Sequence, residues 1–237
     1  IEQFEKRGWN NKVAHNRAQY YGEITLVDDQ IMRVIKMLEQ LGIRENTLIV
    51  FLSDSGDELG DHWVYGKGYY HYKGNTNVPL IINWPGHIQA GKKIDGFVQQ
   101  TDILPTILDL VELEIPLGVQ GKSLKSTLVS DNIDTGYESS YTIKTHSGAY
   151  PKNYYDPGST KQSRNVDIVT IRNHSWRLTH YKNKNYGELY DLNKDPHEYQ
   201  NVWANRTFKE IKADMTEKML NRMIETRDPL TDRKVRY

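Results

Sequence analysis

The sequence predicts an α/β fold that is followed by a small antiparallel subdomain. Two continuous apolar runs, at Thr47–Leu52 and within Asn77–Gly86, have the length and composition of parallel strands that are covered on both faces. Segments with helical spacing alternate with them, which is typical of an α/β domain. Further along, the pattern changes to short alternating segments. We therefore predict an α/β domain over residues 1–135 and a small antiparallel α+β subdomain over residues 136–237.

The first predicted element is a helix from about Ala18 to Leu41. Its apolar residues recur at three- and four-residue spacing, and Gly42 follows as the expected C-terminal stop. The two strands come next, and the second one closes in a Pro-Gly turn. Thr101–Leu113 predicts another helix, in which Pro105 is tolerated because it lies in the first turn.

The second part of the chain predicts loops, a short antiparallel sheet and a closing helix. Residues 130–165 are polar and rich in Gly, Ser, Asn and Tyr, which indicates long surface loops. Three short segments then alternate between apolar and polar residues and predict antiparallel strands: "VDIVTIRN", "SWRLTHYKN" and "GELYDLN". Phe208–Ile224 carries Ile, Leu and three Met residues on one helical face, so we predict an amphipathic helix that packs on the sheet.

Composition excludes several classes of protein and site. Lys+Arg and Asp+Glu both number 31 among 237 residues. The chain therefore lacks the excess of basic residues that would indicate a nucleic-acid partner. The mean hydropathy is −0.73, and no apolar run approaches the roughly 18 residues of a membrane span. Without cysteine, the chain has no disulfide, thiolate metal site or cysteine nucleophile. The sequence starts at Ile1 without Met, so we expect an internal cut of a longer chain.

The polar segment after the first strand, within "FLSDSGDELGDHWVYGK" (residues 51–67), is the candidate functional site. Asp54 stands directly after the apolar run, and ligands of open α/β sheets bind beyond the carboxyl ends of the strands. Taken alone, an Asp at this point is more often a turn former or a helix cap, and a loop Lys is more often a solvated charge. The other acids of the segment are interpreted as a solvated rim: Asp57, Glu58 and Asp61.

This segment resembles a motif of the sulfatase family, S-D-[HN]-G-x-x-L-G-x-H-x-x-x-x-K, within the alkaline phosphatase superfamily. Further blocks resemble the family in the same order: "NVPLIINWPG", "TDILPTILDLVEL" and "GELYDLNKDPHEYQNV". With the helix that precedes the site, the resemblance spans about Tyr20 to Val202. It implies the C-terminal part of a sulfatase catalytic chain. The implied fold is the C-terminal portion of an alkaline-phosphatase-like sandwich, followed by a small antiparallel sheet packed with a C-terminal helix.

The resemblance also implies roles for four residues. Asp54 matches a ligand of a divalent cation, commonly Ca²⁺, and Ser55 stands where the family usually has a coordinating Asn or His. Lys67 matches a lysine that contacts the sulfate and the catalytic oxygen, where its charge stabilises the transition state. His62 matches a histidine beside the sulfate pocket that hydrogen-bonds the ester or acts as an acid. The candidate catalytic and substrate-binding residues are therefore Lys67 and His62, and the candidate metal ligands are Asp54 and Ser55.

The implied activity is the hydrolysis of sulfate esters of small molecules or glycans by a longer chain. The family's nucleophile is a formylglycine made within C/S-x-P-x-R, and none of the eight prolines here is followed two residues later by Arg. We therefore expect this chain alone to be inactive and to need the N-terminal half of the same protein. Two alternatives are a phosphodiesterase or phosphonate hydrolase of the same superfamily, and a non-catalytic sulfatase-like binding module. The family is often extracytoplasmic.

Overall fold

The computed structural model describes residues 5, 6, 8, 12–67, 70–145 and 167–226. By contacts within the chain it divides into two compact units. The first unit comprises Ile1–Ile94 and Ser126–Asn132, and the second comprises Asp95–Lys125 and Ile133–Tyr237. Our prediction of a domain boundary between residues 135 and 136 stays a prediction, because compact units describe packing and not the domains of a fold.

The first unit begins with helix α1, Val13–Gln40, which confirms the predicted helix and extends it by about one turn. It ends in a Schellman motif, because Gly42 adopts φ +66° and the N–H groups of Gly42 and Ile43 donate to the carbonyls of Glu39 and Leu38. None of its residues is buried. The apolar stripe that predicted the helix is therefore covered at most in part by the described residues of this chain.

Strands β1 (Ile49–Leu52) and β2 (Leu80–Asn83) follow, and they pair antiparallel. The prediction of parallel strands covered on both faces was wrong, and Ile81 is largely exposed. An apolar run carries information about burial but not about strand direction. Here Leu52 pairs with Leu80, so the connection between the strands leaves and re-enters the pair at the same end. That connection contains the candidate site.

The helix predicted at Thr101–Leu113 is shorter in the structure. A 3₁₀ turn at Gln100–Asp102 leads into the helix Ile103–Leu110, and a short helix, Lys125–Val129, follows further along the chain. Asp102 is fully buried, and its carboxylate accepts three hydrogen bonds, from the backbone N–H groups of Gln99 and Lys122 and from the hydroxyl of Tyr137. These bonds replace the water that a buried carboxylate loses.

The second unit contains a four-stranded antiparallel sheet in the order β3-β4-β5-β6. The strands are Ser140–Lys144, Ile168–Arg172, Trp176–Tyr181 and Gly187–Asp191. The last three confirm the predicted strands. β3 lies within residues 130–165, where we predicted only loops; its apolar and β-branched residues form a ladder with β4 that the surrounding polar sequence obscured. Residues 146–165 of that predicted loop lie outside the described residues.

The closing helix, Lys209–Glu225, packs on this sheet as predicted. Met215 and Met219 are buried and form a core with three residues of the sheet: Ile171, Leu178 and Leu189. Two other residues of the predicted apolar face, Leu220 and Met223, are exposed. Among the residues that the structure describes, no helix has the length and apolarity needed to span a membrane.

Candidate functional site

The connection between β1 and β2 brings together residues that are far apart in the sequence. Lys67 Nζ lies 3.3 Å from Asp54 Oδ1, although thirteen positions separate them. The hydroxyl of Ser55 donates to the same carboxylate oxygen at 3.3 Å. The side chains of Asp54 and Lys67 are 85% and 62% exposed, so this pair lies on the surface of the chain. Three of the four predicted site residues therefore share one oxygen atom.

The carboxylate of Asp54 is polarised by this arrangement. The hydrogen bond and the positive charge of Lys67 hold the pKa of Asp54 below its usual value of 3.8, and the hydroxyl of Ser55 adds to the effect. Asp54 is therefore ionised across the physiological range. An ionised carboxylate oxygen can bind a hard metal ion or form an ion pair with an ammonium group.

Asp57 connects the two arms of the site loop, which are the segment that carries Asp54 and the segment that carries Lys67. Its Oδ1 accepts hydrogen bonds from the backbone N–H of Leu59 at 2.8 Å and of Gly66 at 3.1 Å. Arg17 of α1 holds the tip, because its guanidinium contacts Asp61 at 2.6 Å and the carbonyl of Leu59 at 3.0 Å. Irregular backbone leaves N–H groups without ladder partners, and a short acidic side chain satisfies them. Asp57 is thus a structural residue of the loop.

The prediction of a solvated acidic rim was wrong for Asp57 and Glu58 and fits only Asp61, which is exposed. Glu58 is 2% exposed. A Cβ atom added at Gly74 would lie 2.9 Å from Glu58 Oε2, so the carboxylate fits into space that glycine leaves open. Three acids among polar neighbours indicate a solvated face when only the sequence is known. The turn that points Glu58 inward has no recognisable sequence pattern, so the sequence could not predict its burial.

His62 is held by an aromatic ring and an unusual backbone conformation. Its φ of +51° lies in the left-handed region, which is uncommon for residues other than glycine. The imidazole stacks on Tyr72, with 3.7 Å between the ring centroids and 2° between the planes. Tyr72 itself stacks with Tyr70 at 5.9 Å. Sequence reasoning identified His62 but did not identify Tyr72 as its neighbour.

The base of the site loop is the segment Tyr70–Thr76, which includes the one-turn helix Lys73–Thr76. The backbone carbonyl of Asn75 accepts from the N–H of Gly56 at 2.9 Å. Its side-chain Nδ2 donates to the carbonyl of Lys67 at 2.5 Å and to that of Tyr70 at 3.0 Å. Sequence reasoning missed this residue; its only signal was a polar Asn beside a Gly in a segment without periodicity.

The oxygen donors present suit part of a shell for a hard divalent cation. Ca²⁺ takes about six to eight oxygen ligands, mostly carboxylates, carbonyls and water. The carboxylate of Asp54 and the hydroxyl of Ser55 are of the right type and lie side by side. The described residues contain no group of three or more His, Cys, Asp or Glu side chains placed to hold a metal. A shell of that size would need donors in addition to Asp54 and Ser55.

The fold is shared with enzymes of the alkaline phosphatase superfamily. The structure of the phosphonate monoester hydrolase of Agrobacterium radiobacter matches with a TM-score of 0.76 and 29% identity, over 90% of this chain and 42% of that one. The structure of BT4656 in complex with its substrate D-glucosamine-2-N,6-O-disulfate matches with a TM-score of 0.72 and 27% identity, over 89% and 41%.

Comparison of the sequence narrows this class to one family. The model described as N-sulphoglucosamine sulphohydrolase, C-terminal, matches residues 60–225, and the model described as Sulfatase matches residues 2–113. An arylsulfatase of Clostridium perfringens is 34% identical over 94% of this chain, and an N-acetylglucosamine-6-O-sulfatase of Bacteroides thetaiotaomicron is 32% identical over 78%. The chain belongs to the sulfatase family. It spans 43% and 31% of the lengths of these two relatives.

Proposed function

We propose that this chain forms part of a sulfatase that hydrolyses sulfate esters and that its β1–β2 connection supplies part of the metal and sulfate site. The observation that carries this proposal is the contact between Asp54 and Lys67, at 3.3 Å, where β1 ends. It joins two residues of the family motif, thirteen positions apart, in one place. The motif continues around them through Ser55 and His62.

Each residue has a chemical role in this proposal. Asp54 and Ser55 would contribute oxygen ligands to a divalent cation, which we propose is Ca²⁺ because the donors are hard oxygens. When bound, the cation neutralises negative charge on the nucleophile and on the sulfate. Lys67 would donate to a sulfate oxygen and stabilise the charge that grows as the S–O bond breaks. His62, oriented by Tyr72, would hydrogen-bond or protonate the ester oxygen.

The rest of the site would come from the remainder of the complete protein. The family's formylglycine motif has no match in this sequence, and the cation shell built from Asp54 and Ser55 is incomplete. We therefore propose that the chain alone hydrolyses no sulfate ester. Incubation of the purified chain with a chromogenic aryl sulfate and CaCl₂ tests this statement, and measurable turnover would contradict it.

The substrate class we propose is a sulfated sugar. One similar structure was solved with D-glucosamine-2-N,6-O-disulfate, and one relative is an N-acetylglucosamine-6-O-sulfatase. A second candidate is a phosphonate monoester, because a phosphonate monoester hydrolase shares the fold with a TM-score of 0.76. Both esters carry a negative charge on the oxygens bonded to the atom that is attacked, so the ammonium group of Lys67 suits either one.

Kinetics of the complete protein distinguish the two candidates. We expect kcat/KM for glucosamine 6-sulfate to exceed kcat/KM for a phenylphosphonate monoester, and the reverse order would favour the second candidate. Asp54→Ala should abolish both turnover and the binding of Ca²⁺ measured by calorimetry. Asp61→Ala removes a carboxylate from the same loop that is paired with Arg17 and not with Lys67, so it is the matched control. Equal effects of the two substitutions would refute the assignment of Asp54.

A further inference from the structure

One buried residue contacts the chain on both sides of the candidate site, through its backbone on one side and its side chain on the other. Asn75 is 7% exposed and lies in the base segment Tyr70–Thr76. Its backbone carbonyl holds Gly56, two residues after Asp54, at 2.9 Å. Its side-chain amide holds the carbonyl of Lys67 at 2.5 Å. A single residue thus connects the arm that carries Asp54 to the arm that carries Lys67.

The chemistry of the amide explains why asparagine suits this position. Nδ2 carries two hydrogens, and the structure gives each one a carbonyl acceptor, on Lys67 and on Tyr70. Because both neighbours are acceptors, the orientation of the amide is determined. Oδ1 is buried and has no hydrogen-bond partner among the residues that the structure describes. Both donor hydrogens of this amide are therefore used in contacts that hold the loop.

The arm of Asp54 is fixed to the base by close backbone contact. A Cβ atom added at Gly56 would lie 1.8 Å from the carbonyl oxygen of Gly74, so only glycine allows this approach. The N–H of Gly56 is bound to the backbone of Asn75, and a substitution of the Asn75 side chain keeps that bond. The arm of Lys67 has a different attachment, since it depends on the side chain itself.

We propose that Asn75 is a positioning residue that fixes the arm of Lys67 against Asp54. We call the contacts of Asn75 with Gly56 and with Lys67 the clamp. The assignment of Asp54 and Lys67 to a catalytic site rests on the proposed function, but the clamp rests on these contacts alone. Loss of the Asn75 amide frees the carbonyl of Lys67, while the bond from Gly66 to Asp57 stays and the arm of Asp54 keeps its place. Effects that depend on Lys67 should therefore change, and the affinity of Asp54 for a cation should not.

The test uses the complete protein with Asn75→Ser and the control Asn77→Ser. Asn77 is exposed and lies two residues further along, so the control makes the same chemical change outside the clamp. Trypsin cleaves after lysine, and the rate of cleavage at the Lys67–Gly68 bond, measured by mass spectrometry, reports the attachment of this arm. Lys36 on α1 provides the reference bond in the same protein. Two lost hydrogen bonds should accelerate cleavage after Lys67 by about tenfold, with no change after Lys36.

Turnover supplies the second measurement. We expect Asn75→Ser to lower kcat by about tenfold with the calorimetric affinity for Ca²⁺ within twofold of the parent. In the background of Lys67→Ala it should lower kcat no further, because two residues that act through one group are not additive. Selective cleavage without a change in kcat supports the clamp and removes Lys67 from the proposed function. Cleavage that is unchanged, or that rises equally after Lys36, overturns the proposal.

A second variant covers a failure of Asn75→Ser to fold. Asn75→Asp keeps the shape of the side chain and removes both donor hydrogens, and the same outcomes apply to it. If Asn75→Asp retains the parent's cleavage rate after Lys67, the amide hydrogens do not hold this arm and the proposal is wrong.

Discussion

Replacing Glu198 by alanine should destabilise the second unit far more than breaking a shorter ion pair on its surface. Glu198 and Arg177 are each 1% exposed, and their closest charged atoms are 3.5 Å apart. Glu198 also accepts a hydrogen bond from Arg172, while Arg177 binds Glu188 at 3.0 Å. Tyr181 donates to the other oxygen of Glu188 at 2.5 Å. Two buried acids and two arginines therefore compensate one another.

Alanine at position 198 leaves Arg177 buried with one acid where it had two. Removing one partner of a buried ion pair costs about 3–5 kcal/mol, because the remaining charge keeps its desolvation penalty and loses its compensation. The control is Lys182→Ala, which breaks a pair with Asp167 whose atoms are only 2.6 Å apart. The side chain of Lys182 is 65% exposed, so this substitution should cost about 0–1 kcal/mol. By distance alone the Lys182–Asp167 pair would be the stronger one, whereas by burial the Arg177–Glu198 pair is the stronger one.

Amide hydrogen exchange of β5 and β6 in the complete protein measures the free energy of local opening for both variants. Far-UV circular dichroism serves as the control for folding. A loss below about 1 kcal/mol for Glu198→Ala, or a loss as large for Lys182→Ala, would refute the argument that burial decides the strength of these pairs.

Three further predictions concern the site and the pH dependence of stability. Lys67→Ala in the complete enzyme should lower kcat by about a hundredfold to a thousandfold with little change in the thermal melt, whereas Lys36→Ala, on α1, should leave kcat within about twofold. Ser55→Asn should tighten Ca²⁺ binding in calorimetry, because an amide oxygen is a better ligand than a hydroxyl; weaker binding would contradict a ligand role for Ser55. Burial and the adjacent Asp102 raise the pKa of Tyr137 to about 12. The unfolded chain loses this proton at about pH 10, so stability should fall between about pH 10 and 12, and urea titrations should show a shallower fall for Tyr137→Phe.

The sequence predicted elements whose periodicity is local and missed what depends on the return of the chain. The closing helix and three strands of the second sheet follow from patterns that a few residues carry. The antiparallel pairing of β1 with β2 depends on the 27-residue connection between Leu52 and Leu80, which no local pattern encodes. β3 was missed because its five residues lie between polar stretches and pair with a strand that begins at Ile168.

The same distinction applies to the candidate site. The family motif led to Asp54, Ser55 and Lys67, and the structure brings these three residues together. Spacing did not reveal Asn75 or the inward turn of Glu58, because both depend on the approach of the base segment to the loop. The backbone of Gly56 lies close to that of Gly74, and the only trace of this contact in the sequence is the two glycines. Glycine has many other uses in loops, so its presence does not predict such a contact.

The exposure of the site pair and the exposure of α1 have a common explanation in the proposed function. An ammonium group stabilises a developing negative charge strongly only where water is excluded, because water screens the interaction. Asp54 and Lys67 are largely exposed in this chain, and in the same unit α1 buries none of its residues. Relatives are more than twice as long as this chain. Under the proposed function, residues beyond this sequence would cover the apolar stripe of α1 and enclose the pair, and they would then set the polarity of the site.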